Sequence, residues 1–424
     1  ILYLYQEEED DVADEDDEEE VMERVARHRV ASVEPGQLIA EVVPPKPGRP
    51  GTDIFGQTIR CKPPKDIKLV AGNGVEVDEE ARRAVALING RPEILGSRVT
   101  VHPTYVISGD VDAKVGKIVF KGDVQVLGNV QDEMSIEATG QVVINGYAAH
   151  AVIVAGSNVV VHNNIVGGNV RAGGLGSLSG KVTMVLAEIK ETLPLLLTSA
   201  KQVINHPSFA QNRDVARVGE GIVLKMLLSK KFAHLPQKLE ESRGDLAALV
   251  KNLDYDELRL FAEEYEELYQ KLSGSGPLSL KKLHLAENIF NSFLERADTV
   301  MEFLQERAMD KADLVTGYIQ NTYLECSGEV RITGKGSYNS NIYAGGDVII
   351  KGSPGTFRGG EIVTGGNVIV RELGSPAEVA TGIRIRPGKS VKADRVYPGV
   401  VIYAGSKLER ITYEQKGFVL VGQP

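Results

Sequence analysis

Tryptophan is absent from the 424 residues, cysteine occurs twice, and aromatic residues make up only 6%. Cys61 and Cys326 lie far apart in the chain, so they supply neither a disulfide framework nor the clustered thiolates of a cysteine-based zinc site. A reducing compartment is expected. No apolar run approaches the roughly 20 residues needed to span a bilayer, and the apolar opening at residues 1–5 is too short for a signal-peptide core. A cytoplasmic protein without membrane insertion follows as an expectation. The chain opens at Ile1 rather than Met, which predicts that its native start lies elsewhere. With an excess of acid, no Trp and no recognised binding motif, nucleic acid is not an expected partner.

The excess of acid is itself local. Fifty-eight acids against 48 bases give a formal charge of −10, yet 12 of those acids fall within residues 7–20, and the remaining 46 nearly balance the 48 bases. Such a block repels itself and reads as a solvated or partner-binding arm.

Glycine is what the chain has in plenty: 45 residues, of which only Gly219, Gly221, Gly244, Gly274 and Gly276 lie between positions 183 and 310. The flanks, rich in Gly, Val and Ile, suit strands and turns, while the middle, rich in Leu, Glu, Lys and Ala, suits helices. Within the first flank, residues 118–126 (Ile-Val-Phe-Lys-Gly-Asp-Val-Gln-Val) overlay 136–144 and 153–161, with a degenerating copy from Val170. The second flank resumes the unit at 324–332, 342–350 and 362–370, with a shortened echo at 379–385. Aliphatic residues recur at every sixth position, as in Ile118, Val124 and Val130. That spacing predicts three short strands per turn of a triangular parallel β-helix, whose turns must stack to bury a continuous core. The coil must then run unbroken across the helical segment, which becomes an insertion looping out of one rung.

Each rung turns a corner on Gly and a short polar residue, as at Gly122-Asp123 and Gly346-Asp347. Read as catalysis these carboxylates would pair as acid and base, but Asn or Gln replaces the acid in other rungs. Turn chemistry is therefore the expected role. In the insertion, Leu283, Ala286, Phe290, Phe293, Ala297, Val300 and Leu304 follow steps of three and four, as do Leu258, Phe261, Tyr265, Leu268 and Leu272. Asp254 and Glu257 form a capping-box-like start, Ser273-Gly-Ser-Gly-Pro277 forms a stop, and Pro194 predicts a kink in the outgoing helix. An antiparallel coiled-coil arm is expected to project from the coil, its seams serving internal packing. The expected organisation is an acidic arm with a short helix at 1–30, a small N-terminal β domain at 31–98, and the first half of the β-helix at 99–182. The helical insertion at 183–314, the second half of the β-helix at 315–400 and capping strands at 401–424 complete it.

The stretch Gly48-Arg-Pro-Gly-Thr-Asp-Ile-Phe-Gly56, with Gly51, Asp53 and Gly56 as its markers, is followed by Leu69-Val-Ala-Gly-Asn-Gly-Val75 and Ser108-Gly-Asp-Val-Asp112. With the helical interruption and the resumed Ile342-Tyr-Ala-Gly-Gly-Asp-Val348 rung, this ordered set resembles the flagellar assembly protein A family; the rungs alone are also similar to those of bactofilin-type polymers. The resemblance implies a cytoplasmic bacterial scaffold, associated with flagellar assembly or polar placement, with no enzymatic chemistry and no cofactor to carry over. It also favours a right-handed coil. Its partners would be proteins, flagellar or polar ones among them, and other copies of the chain. Two departures stand out: the family's usual N-terminal region is expected to be missing or reduced, and the acidic run lies outside its pattern.

The strongest enzymatic alternative is a hexapeptide acyltransferase, which uses a histidine base between coils; His102, His150 and His162 are the candidates. None has a sequence-adjacent partner, and rungs of 17, 18 and 20 residues fit a strict hexapeptide poorly. A polysaccharide lyase or hydrolase would want paired carboxylates or a calcium cluster and aromatics to stack sugars, which this composition disfavours. Gly176-Ser-Leu-Ser-Gly-Lys-Val-Thr183 imitates a phosphate loop, but Leu175 stands where its first glycine belongs and Val182 where the magnesium-binding hydroxyl belongs. A flexible exit from the rung is the expected role. Finally, Arg384, Arg386, Lys389, Lys392 and Arg395, against Asp394 alone, form a basic stretch suited to an acidic partner surface or to another copy's acidic arm; an ordinary solvated face is the plainer reading.

Overall fold

A computed structural model describes residues 2–3, 27–62, 64, 66–78, 80, 82–206, 219–253, 255–307 and 311–423. The acidic run at 7–20 and the proposed cap at Asp254 lie outside the described residues.

Short strands with one inward aliphatic every second residue cannot bury themselves singly, and here they stack in register. Ile118, Ile136, Ile153, Val170, Leu324, Ile342, Ile362, Ile383 and Ile402 form one parallel column. Val124, Val142, Val159, Leu314, Val330, Val348, Val368 and Val391 form a second. A third runs through Val111, Val130, Ala148, Ile165, Ile319, Ser337, Phe357, Leu373 and Val396. Every member of these columns is at most 1% exposed and all but Ser337 belong to one hydrophobic cluster, so this is the triangular β-helix that the sixfold spacing predicts. One register differs from the sequence reading. The rung after Ile362 is seated on Ile383, because the loop before it is longer than the others, and the echo placed at 379–385 is thus shifted.

The coil crosses the insertion without a gap. Val159 pairs with Leu314 and Asn169 with Tyr323, so the strand Leu314–Gln320 completes a rung begun before the helices. Three residues bridge Ala155 and Val159 at an ordinary corner (Gly156, Ser157 and Asn158), and three coil residues stand at the interrupted one: Gly173 before the helices, Ala312 and Asp313 after. The amide of Gly328 donates to the Ala312 carbonyl and that of Glu329 to the Asp313 carboxylate. The helices have been threaded into a corner that is otherwise complete.

Among the described residues five α-helices form the insertion: α1 Gly174–Ile204, α2 Gly221–Leu228, α3 His234–Asn252, α4 Asp256–Leu272 and α5 Leu283–Arg307. Lys201 meets Glu287 and Lys190 meets Asp298, which sets α1 antiparallel to α5. Arg296 on Glu257, with Tyr255 stacked on Phe303, sets α4 antiparallel to α5, and Arg243 on Glu266 joins α3 to α4. Both predicted seams are buried within this bundle's own core. The arm is wider than a two-stranded coiled coil, because α3, with Leu235, Leu239, Leu246 and Leu249 inward, closes the bundle against α1. α1 begins at Gly174, ahead of the predicted start, in a Gly/Ser-rich stretch that read as a flexible exit. Ser177 and Ser179 are buried there, so packing overrides weak propensity. The same helix runs through Pro194.

The N-terminal region forms a four-stranded and a three-stranded sheet around their own core. The strand Arg27–Arg29 adds itself in parallel to Lys117–Phe120 and covers the first rung's edge, while the short helix expected within 1–30 falls on residues outside those described. At the far end Lys407–Arg410 and Gln415–Val421 pair antiparallel with Val400–Ala404 and Ser390–Val396, closing both sheets.

Candidate functional site

The corner carboxylates are occupied by the coil itself. Asp123 accepts the amide of Gln141 at 2.8 Å, and Asp347 accepts the amide of Asn367 at 2.7 Å and its side-chain nitrogen at 3.1 Å. Asn158 does the same for Asp313 at 2.8 Å, which is why Asn and Asp interchange here. Gly122 takes φ +147 under a close carbonyl, and a side chain at Gly346 would strike the backbone of the rung below. Each corner residue thus ties one rung to the next.

The three histidines do not converge. His102 lies 2.9 Å from Glu93 and His150 lies 3.4 Å from Asp132, partners in space that sequence adjacency concealed, and all four side chains are about half exposed or more. His162 meets the Ile144 carbonyl, at 3.3 Å. None borders the clefts described below. Among the described residues no group of His, Cys, Asp or Glu is arranged to hold a metal ion.

The basic stretch divides. Arg384 lies on the sheet facing α1, where it reaches Glu188 at 3.0 Å and Glu361 at 3.8 Å and covers the Tyr403 ring at 4.5 Å. Arg386 lies just beyond it, Lys389 stands in the following turn, and Lys392 and Arg395 belong to the other sheet. Arg395 pairs with Glu414 at 3.4 Å and donates to the Tyr397 hydroxyl at 3.1 Å. A single continuous patch is not formed. The family-like markers gather on a hairpin instead: Asp53 accepts the amides of Phe55 at 2.9 Å and Gln57 at 2.7 Å, between the paired strands Gly51–Thr52 and Thr58–Ile59, with Gly56 at φ +78.

The most elaborate chemistry lies where the bundle meets the coil. On this sheet each strand turns a residue outward between two inward ones, and register stacks Val154, Arg171, Glu325, Tyr343, Val363, Arg384 and Tyr403 into one column. α1 rests along it. Ser177 meets Glu325 and Glu188 meets Arg384, three rungs on; eleven helical residues span about 16 Å and three rungs about 14 Å, so helix and column run alongside each other. Glu325, 1% exposed, accepts from Ser177 at 2.6 Å and lies 3.2 Å from Arg171 and 3.9 Å from Lys181. Asp245 on α3 joins both cations. Lys181 also lies over the rings of Tyr323 and Tyr343, at 5.2 and 5.3 Å. Burial pushes both phenols up, with nearby carboxylates adding to the effect, so they remain protonated donors. Desolvation pulls the imidazole of His234 down.

Coil and bundle keep separate hydrophobic clusters, so this seam is joined largely by charge and phenol rather than by a shared apolar core. Clefts of about 720 Å³, lined by Arg171, Lys238, Asp245 and Tyr343, and about 250 Å³, lined by Lys181, Lys311 and Arg386, open along it. Sequence reading missed Arg171, Lys181, Asp245 and Glu325. The outward column was readable from the repeat, since Glu325 follows Leu324 as Tyr343 follows Ile342; the contribution of α3 was not.

The family model described as the Flagellar Assembly Protein A N-terminal region matches residues 1–97, and the one described as the Flagellar Assembly Protein A beta solenoid domain matches residues 103–206 and 307–393. The first match overturns the expected loss of the family's N-terminal region and brings the acidic run within it. Neither the curated proteins nor the solved structures provide a match. With both regions present in order and the helices interrupting the solenoid, the chain belongs to the flagellar assembly protein A family.

Proposed function

We propose that this chain is a non-enzymatic cytoplasmic scaffold for flagellar assembly or polar placement, which offers the helical bundle to protein partners from a rigid coil. The observation that carries this reading is the seam: a long coil and a separately cored bundle are held in one orientation by the Glu325, Arg171, Lys181 and Asp245 cluster, an arrangement suited to presenting a surface rather than to turning over a substrate. Self-association belongs to the same proposal. The corner carboxylates Asp123 and Asp347 are engaged in rung-to-rung hydrogen bonds, and His102 and His150 stand apart on the surface. No helix among the described residues is long and apolar enough to cross a membrane.

The test is replacement of the gene in a flagellated bacterium that encodes this chain. A variant with His102, His150 and His162 changed to Ala should retain normal flagellar number and position. A variant lacking residues 174–311, with Gly173 joined to Ala312, should lose them while the coil still accumulates. Acyl transfer from coenzyme A that disappears in the triple His variant would overturn the scaffold reading in favour of the acyltransferase.

A further inference from the structure

Ile54 and Phe55 are 92% and 81% exposed, the most exposed large hydrophobic residues in the described chain. They form the tip of the hairpin between Gly51–Thr52 and Thr58–Ile59, and the Asp53 carboxylate, accepting the amides of Phe55 and Gln57, fixes the turn that displays them. Ile59, behind the tip, is 56% exposed. Residues 43–62 are exposed throughout apart from Asp53, so no element among the described residues covers this finger.

Its charges are one-sided. Lys46 and Arg49 stand on the entering limb and Arg60 and Lys62 on the leaving limb, all exposed and none in a salt bridge among the described residues, against Asp53 alone, whose carboxylate is turned onto its own loop. A convex finger with an apolar end and a basic collar has no concavity in which to enclose a small ligand. It fits a surface that is apolar beneath and anionic above, with Phe and Ile entering the headgroup boundary while Arg and Lys meet phosphates.

We infer that the hairpin at residues 51–59 is a docking finger for an anionic lipid surface, holding the scaffold against a membrane without crossing it. This activity is separate from the protein contacts proposed for the bundle and does not depend on them. Because nothing packs on the tip, substitutions there leave the fold intact, and because the chain has no Trp, Phe55→Trp creates a single fluorescent reporter.

The experiment mixes the full chain carrying Phe55→Trp with vesicles of phosphatidylcholine alone or of phosphatidylcholine and phosphatidylglycerol. The expected result is a blue shift, and quenching by brominated acyl chains, with the anionic vesicles only. In flotation, Arg49→Glu with Arg60→Glu, or Ile54→Ser with Phe55→Ser, should each lower vesicle binding by about tenfold or more. No blue shift on anionic vesicles, or an equal response on neutral ones, would overturn the inference. So would a blue shift without lipid that grows with protein concentration, which would assign the finger to a second copy of the chain instead.

Discussion

Replacing Glu325 with Gln tests the seam most sharply, because the substitution keeps the shape and removes the charge. Taking one member from a buried ion pair costs about 3–5 kcal/mol when its partner is left without compensation. Here Arg171 is 30% exposed and keeps Asp245 at 3.8 Å, Lys181 keeps Asp245 as well, and a glutamine oxygen can still accept from Ser177. The loss should therefore fall below that range, at about 2 kcal/mol. In a chain with Gly173 joined to Ala312 the helices are gone and position 325 faces water, so the same change should stay within about 0.5 kcal/mol. Urea unfolding followed by circular dichroism in both backgrounds measures the difference. Equal losses in both chains would mean that Glu325 supports the coil and not the bundle's attachment; no loss in the intact chain would refute the seam as a stabilising contact.

Three further outcomes follow from the same geometry. Asp347→Asn should be nearly neutral, because asparagine fills the equivalent corner at 158 and 367, whereas Asp347→Ala should cost about 1–2 kcal/mol in urea unfolding by orphaning the Asn367 amide. Ile342→Ala, in the middle of the first column and 0% exposed, should cost about 3–4 kcal/mol in the same measurement, most of it borne by the coil. Of the two thiols, exposed Cys61 should react with a disulfide reagent in the native chain, while Cys326, whose thiol is pushed up by burial, should react only after unfolding. Because burial disfavours the Cys326 thiolate, raising the pH from 7 to 9 should leave that thiol unreactive in the native chain.

The coil was legible because its signal is repeated: the inward columns at Ile118, Val124 and Val130 recur often enough for stacking to be the only way to bury them. The bundle's two long seams were legible for the same reason. What stayed hidden depends on elements that are not periodic neighbours. The Gly/Ser-rich start of α1 is helical despite its weak propensity, with Ser177 held by Glu325 of the coil and Ser179 buried, and α3 carries a weaker apolar stripe in a charged sequence. The basic stretch at 384–395 read as one patch along the chain, yet a β-helix turns a corner between Ile385 and Ser390 and sends its two halves to different faces. Likewise Glu325 and Asp245 meet only when a rung and a helix far apart in sequence are brought together.

The account's central claim is that the helical bundle is threaded into a corner of a coil that is complete without it. Joining Gly173 directly to Ala312 leaves three residues between Ala172 and Leu314, as in the corner between Ala155 and Val159. Thermal unfolding of that shortened chain, followed by far-ultraviolet circular dichroism, is the direct measurement. A β-rich spectrum that melts in one cooperative transition is the predicted result. A chain without ordered β-structure, or one that regains it only when the separate bundle is added back, would contradict the claim.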